Sequence, residues 1–165
     1  MIPASLKMIK QGFPPIVDKN TEIIILGSFP GNISIKKHQY YGNPGNDFWR
    51  LLGSAISEDF QSMDYESRLE TLKCNGIDLW DVFKAGDGVG SGDAKIRDEE
   101  INQFSLVKEI APKLRLICFN GNKSEKYEPI LREIGYETKI LLSSSGANRI
   151  SLEKRKSEWK DVFKL

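Results

Sequence analysis

The chain has 165 residues, 39% hydrophobic and 28% charged, with 24 lysines and arginines against 23 aspartates and glutamates and a formal net charge of +1. These values suit one ordinary globular domain and exclude a disordered chain or a coiled coil, and no run of about 18 apolar residues is present to form a membrane span. Met1–Lys10 has no apolar stretch followed by a small-residue cleavage site, so the expectation is a single soluble domain over residues 1–165, cytoplasmic and monomeric.

Charge is unevenly spread. Residues 1–56 carry 6 basic and 3 acidic groups, 57–100 carry 5 and 12, and 101–165 carry 13 and 8. A mildly basic face opposite an acidic one is compatible with nucleic acid without requiring it. Two cysteines, Cys74 and Cys118, are too few for a four-thiolate metal site and read as small core residues. His38 is the single histidine, which leaves almost no material for a triad or a histidine-based metal site.

In chain order, the first element is a strand over Glu22–Leu26 (EIIIL), ended by Gly27. The segment Gly27-Ser28-Phe29-Pro30-Gly31 that follows lets a ligand approach the backbone closely, or is a plain turn steered by Pro30. It has neither the GxxxxGK[ST] nor the GxGxxG spacing, so an NTPase or a dinucleotide enzyme loses most of its support. The decapeptide Tyr40–Trp49 (YYGNPGNDFW) sets aromatics beside amides at a helix start, the material for a pocket that takes a planar base. Within it Asn46 reads either as an N-cap or as an amide that binds a reacting base or its water. Phe48, Leu51, Leu52, Ala55 and Ile56 repeat at the spacing of one helix face.

A helix over Arg68–Cys74 and a strand over Ile77–Val82 come next, then a glycine-rich loop from Lys84 to Asp98. Ile101, Phe104 and Ile110 suggest a helix stopped by Pro112, followed by a strand over Leu114–Phe119. Ser124–Ile134 reads as one helix, with Tyr127, Ile130, Leu131 and Ile134 inward and Pro129 distorting a turn. A strand over Thr138–Leu142 leads into Ser143-Ser144-Ser145-Gly146-Ala147-Asn148, which is a polar turn or a phosphate-contacting loop. Ser151 caps the last helix; Leu152, Trp159, Val162 and Phe163 share its inner face, and Lys154, Arg155, Lys156 and Lys160 are expected in solvent. Strands alternating with helices predict an α/β fold, and in an open parallel sheet ligands bind beyond the carboxyl ends of the strands.

Taken together, GFPPIVDKNTEIIILGSFPG at 12–31, QYYGNPGNDFWRLL at 39–52, GIDLWDVF at 76–83, AKIRD at 94–98, LICFNG at 116–121 and LLSSSGAN at 141–148 resemble the uracil-DNA glycosylase superfamily, and within it most closely the hypoxanthine-DNA (deoxyinosine) glycosylase branch. The resemblance spans roughly Gly12 to Phe163. It implies a three-layer α/β/α fold around a four-stranded parallel sheet. It also implies a monofunctional glycosylase that flips a deaminated base out of DNA and hydrolyses its N-glycosidic bond without cofactor or metal. By that resemblance Gly27, Ser28, Phe29, Pro30 and Gly31 form the first motif, whose backbone touches the base, and Tyr41 stacks on it. Asn46 matches the catalytic asparagine, and Asn120 an element near the pocket. Ser143, Ser144, Ser145, Gly146, Ala147 and Asn148 match the second motif, which packs against the DNA backbone, and Arg149 is expected to add a phosphate contact. Many relatives carry an acidic or amide residue in the first motif where this chain has Phe29, which favours the deoxyinosine branch over the uracil and mismatch branches. The competing expectations are a uracil- or mismatch-specific glycosylase, a non-catalytic nucleic-acid-binding module on the same scaffold, and a flavodoxin-like nucleotide binder.

Overall fold

The computed structural model describes residues 10–86 and 100–164. Four strands, β2 (Ile23–Gly27), β3 (Ile77–Asp81), β6 (Leu116–Asn120) and β7 (Thr138–Leu141), pair in parallel in the order β3-β2-β6-β7. Each lies within a residue or two of the segment expected from the sequence. A parallel sheet is covered on both faces, which is why β2, β3 and β6 are buried along their whole length. Successive side chains of β2 therefore enter two different cores. Ile23 and Ile25 pack with Phe48, Leu51, Leu52, Leu72 and Trp159 on one side, and Ile24 and Leu26 pack with Phe83, Phe104, Val107 and Leu131 on the other.

The first face is covered by α2 (Phe48–Ile56), α3 (Tyr65–Cys74) and α7 (Leu152–Val162), and the second by α4 (Val107–Ile110) and α6 (Glu128–Ile134). Two further short helices, α1 (Asn32–Lys37) and α5 (Asn122–Glu125), follow β2 and β6. This is the three-layer α/β/α architecture expected. Trp159 anchors α7 from a fully buried position, its indole donating to the Leu142 carbonyl at 2.7 Å. Ser151 caps the helix as read, accepting from the Lys154 amide.

Several readings are corrected. The expected helix through Ile101 starts later: Glu100–Ile101 is a short strand, β5, followed by a 3-10 turn at Phe104–Leu106 and only then α4. β5 joins β1 (Lys10–Gln11) and β4 (Phe83–Gly86) in a small antiparallel sheet of order β1-β4-β5, so the start of the supposed loop at Lys84 is strand; residues 87–99, with the AKIRD block, lie outside the described residues. The helix expected over Ser124–Ile134 is two helices that break at Lys126–Tyr127, and Pro129 falls in the first turn of α6, where a missing N–H costs nothing. Leu131 points inward, but Ile130 and Ile134 are exposed.

Cys74, expected in the core, is exposed at the end of α3, whereas Cys118 is buried as read. Arg155 is corrected too. Expected in solvent, it is 4% exposed and bonded to Asp47.

Candidate active site

The carboxyl ends of the parallel strands converge because the register pairs Gly27 with Asp81 and Leu26 with Phe119, just before Asn120. The chain leaves β2 toward β3 on one side and later returns to β6 on the other, so the crevice expected of an open α/β sheet opens at β2. A cleft of about 340 Å³ lies there. It is lined by Gly27–Gly31, Tyr41, Asn46, Asn120 and Ser143–Ser145, which brings together most of the residues singled out in the sequence. Gly146, Asn148 and Arg149 are not part of its lining.

The first loop leaves β2 tightly. A Cβ on Gly27 would stand 2.7 Å from Asp81 Oδ1 and 3.2 Å from the Tyr41 hydroxyl, so only glycine allows this approach. The Gly27 and Ser28 carbonyls accept from the Val82 and Phe83 amides at 2.8 and 3.0 Å, which ties the loop to the β3–β4 junction. Phe29 packs against the second core. Its amide makes no hydrogen bond among the described residues.

Tyr41 has φ of 52°, an uncommon conformation for a non-glycine residue. It is held from both ends: its carbonyl accepts from the Trp49 indole at 3.2 Å, and its ring stacks on Phe48 with centroids 3.7 Å apart and planes 7° from parallel. Behind it, burial first and the Asp81 carboxylate second push the Tyr40 phenol well above its usual range, so Tyr40 stays neutral and donates to the Pro14 carbonyl. His38 is exposed and ends α1 in a left-handed conformation.

The N-cap reading of Asn46 is corrected by one residue, while its side chain does line the cleft. The N-cap of α2 is Asp47, which makes no side-chain cap bond, and Asn46, one residue earlier, accepts from the Phe48 amide at 2.9 Å through Oδ1. That leaves its amide nitrogen without a hydrogen bond among the described residues, on the wall of the cleft. The turn carrying it is fixed by the Asn46 amide donating to the Asn43 carbonyl at 3.0 Å and the Asp47 amide donating to the Ser144 carbonyl at 2.8 Å.

Asn120 is a structural hub. Its Nδ2 donates to the Tyr41 hydroxyl at 3.1 Å and to Ser144 Oγ at 2.9 Å, while its Oδ1 accepts from the Ser144 amide at 3.0 Å. One buried amide thus pins the stacking tyrosine and the serine loop together. Ser144 is accordingly 1% exposed and turned inward, which takes its side chain away from the surface that the second motif was expected to present.

Ser143 and Ser145 remain at the cleft, their hydroxyls accepting from the Ser145 and Ala147 amides. Asn148 braces the loop by donating to the Ser143 carbonyl, and Arg149 is exposed. Gly146 rests on the Asn46 turn: a Cβ there would meet the Gly45 carbonyl oxygen at 2.2 Å.

Two residues of this site carried no role in the sequence reading. Asp81 was visible only as the residue ending a strand, and it lines the cleft while 5% exposed. Arg155, four residues into α7, reaches back to Asp47 Oδ2 at 2.9 Å and to the Ser143 and Ile150 carbonyls at 3.3 and 3.0 Å. No sequence pattern separates it from the exposed lysines beside it. Among the described residues no group of three or more metal-ligating side chains occurs, and no helix is long and apolar enough to cross a membrane.

Comparison with known proteins bears on the same arrangement. The family model for the uracil DNA glycosylase superfamily matches residues 14–164. A hypoxanthine DNA glycosylase of Methanosarcina barkeri is 69% identical over 157 residues, covering 95% of this chain and 99% of the relative. One of Methanosarcina acetivorans is 66% identical over the same shares. A solution NMR structure assigned to the uracil DNA glycosylases, also from Methanosarcina acetivorans, superposes with a TM-score of 0.85 at 66% identity, over 94% of this chain and 96% of that one. With the parallel sheet and the cleft at its carboxyl edge, these matches show that the chain belongs to the uracil DNA glycosylase superfamily.

Proposed function

We propose that this chain is a monofunctional DNA glycosylase that takes hypoxanthine, flipped from DNA, into the cleft and hydrolyses the bond joining it to deoxyribose, the first step of base excision repair. The observation that carries the reading is the gathering of Asn46, Tyr41 and the Ser28–Phe29 backbone around one cleft, in a chain 66–69% identical to relatives named for this activity. Phe29 in the first motif is consistent with the deoxyinosine branch.

Cleavage passes through a sugar of oxocarbenium character. The bonding pair stays on N9 of the departing base, water oxygen adds to C1′, and the water gives up a proton. The enzyme therefore has to hold a base that gains negative charge and to place a water, with no covalent nucleophile. The Phe29 amide is the donor offered to the base. Asn46 Oδ1 keeps one lone pair beyond the Phe48 bond, and its Nδ2 is a second polar handle, so this amide orients the water or the base without acting as a base itself. Tyr41 offers the base the ring face opposite Phe48. Ser143, Ser145, Gly146, Asn148 and Arg149 meet the DNA backbone, while Asn120 and Ser144 hold that loop from within.

Hypoxanthine pairs more weakly than the base it replaces, which lowers the unpairing cost of a few kcal/mol. The test is a pair of labelled duplexes, each carrying one deoxyinosine or one deoxyuridine, treated with alkali after incubation. A cut at deoxyinosine is expected. A cut only at deoxyuridine would keep the superfamily chemistry and overturn the substrate, and binding without any cut would replace an enzyme with a binding module.

A further inference from the structure

One side of the cleft is walled by α1, an element that the hydrolysis above does not use. Its first residues, Asn32, Ile33 and Ser34, line the cleft, and an open hollow of about 310 Å³ lined by Asn32, Ile33, Ile35 and Lys36 continues from it along the helix. Ile33 is 41% exposed, and Lys36, Lys37 and His38 are exposed after it. Ile33, Lys36 and Lys37 stand three and four residues apart, the spacing that sets side chains on one helix face. Lys37 Nζ donates to the Gly42 carbonyl at 2.9 Å, whereas Lys36 forms no hydrogen bond or ion pair among the described residues. From Ile23 through Asn46 the sequence holds no aspartate or glutamate, so no neighbour in sequence neutralises these cations. The helix is also well placed. Ser34 Oγ accepts from the Gly42 amide at 3.0 Å, so α1 braces one end of the segment Gly42–Asp47, whose other end meets the serine loop where the Asp47 amide donates to the Ser144 carbonyl.

We propose that the exposed face of α1 is a DNA-docking surface, with Lys36 on a phosphate of the strand that supplies the flipped nucleotide and Ile33 against the neighbouring deoxyribose. This deepens the reading of the chain as a DNA glycosylase and rests on it. A base enters the cleft only with its own sugar and the flanking phosphates at the mouth, so the element that forms the rim meets them. The chemistry of the face fits that partner. Nucleic acid presents apolar sugar faces between anionic phosphates, and here an apolar side chain stands beside a cation that no protein group engages. The surface is continuous with the cleft through Asn32 and Ile33, and it adds to the serine loop a second contact element at the far end of the Gly42–Asp47 segment.

The experiment measures, by fluorescence anisotropy over a series of salt concentrations, binding to a labelled duplex that carries one tetrahydrofuran abasic analogue, which cannot be cut. Lys36→Gln should weaken binding several-fold and flatten the slope of log affinity against log salt by about 0.9, the share of one phosphate contact. Ile33→Ser should weaken binding several-fold at the parent slope, since it removes no charge. Lys113→Gln, at an exposed lysine beside Asn20 on the opposite, amino end of the sheet, should match the parent in both. A loss in Lys36→Gln at the parent slope, which marks a disturbed helix and not a lost phosphate contact, would overturn the inference, and so would parent affinity in Ile33→Ser. The readout needs no cleavage. Binding by the unaltered protein without any cut at deoxyinosine would remove the functional reading and leave α1 to be judged by the slopes, whereas a lack of salt-dependent binding by the unaltered protein would overturn both.

Discussion

Replacing Arg155 with Met tests whether the last helix holds the site together. Arg155 is 4% exposed and makes three bonds from one guanidinium: to Asp47 Oδ2 at 2.9 Å, to the Ser143 carbonyl at 3.3 Å and to the Ile150 carbonyl at 3.0 Å. Methionine keeps the reach and apolar bulk but removes the charge and all three donors. Removing one partner of a buried ion pair generally costs 3–5 kcal/mol, because the other charge stays buried. Here Asp47 retains Arg50 at 3.0 Å and its side chain is 14% exposed, which relieves part of the penalty. The expected loss is about 2–4 kcal/mol.

Urea unfolding measures it directly, with a lower midpoint at an unchanged slope. Asp47→Asn combined with Arg155→Met then isolates the pair, and a coupling of about 1–2 kcal/mol is expected for groups in contact. Deoxyinosine cleavage should fall beyond the stability loss, because Asp47 and Ser143 flank Asn46 and the serine loop. A loss below about 1 kcal/mol with no coupling, the behaviour of a solvated surface pair, would refute this account.

Three further outcomes are expected. Asn46→Ala should unfold within about 1–2 kcal/mol of the parent, the worth of the lost side-chain bond to the Phe48 amide, while single-turnover cleavage of deoxyinosine drops at least ~100-fold; full activity would remove Asn46 from the chemistry. Gly146→Ala places a Cβ 2.2 Å from the Gly45 oxygen, so the serine loop must move off the Asn46 turn. It should cost about 1–3 kcal/mol and slow cleavage although the residue is exposed, whereas Gly31→Ala, with nothing within 4 Å, should leave stability within about 0.5 kcal/mol. Burial pushes the Asp78 carboxyl up to about 6, against about 3.9 in an unfolded chain. The folded state keeps a proton that the unfolded chain gives up, so this group subtracts stability as pH rises from about 4 to about 6 and the penalty is complete above that. The melting temperature of Asp78→Asn, which still accepts from Thr21, should therefore gain on the parent across that window, and a constant difference would contradict the assignment.

Much of the fold was legible in the residues because parallel strands are short, apolar and ended by glycine or amides. EIIIL, IDLWD and LICFN could hardly be anything else, and the Phe48–Ile56 stripe has the period of one buried helix face. The antiparallel sheet of β1, β4 and β5 was not legible: two of its strands have two residues each, too few to show a period, and their pairing is decided by distant partners. The break at Lys126–Tyr127 escaped for a related reason, since Pro129 inside an apolar period is compatible with either a distorted helix or a new first turn.

The local motifs by themselves indicated which loops line the cleft, because glycine, hydroxyl and amide groups gather beyond the strand ends. What each group does there was decided by tertiary packing. Asn46 bonds the start of α2 and lines the cleft only because the helix begins at Phe48, Ser144 is withdrawn by a bond to Asn120 24 residues away, and Arg155 is buried by a partner 108 residues away. A charge or an amide has no burial or partner until the chain closes around it, so the residues named the parts and the packing assigned them their neighbours.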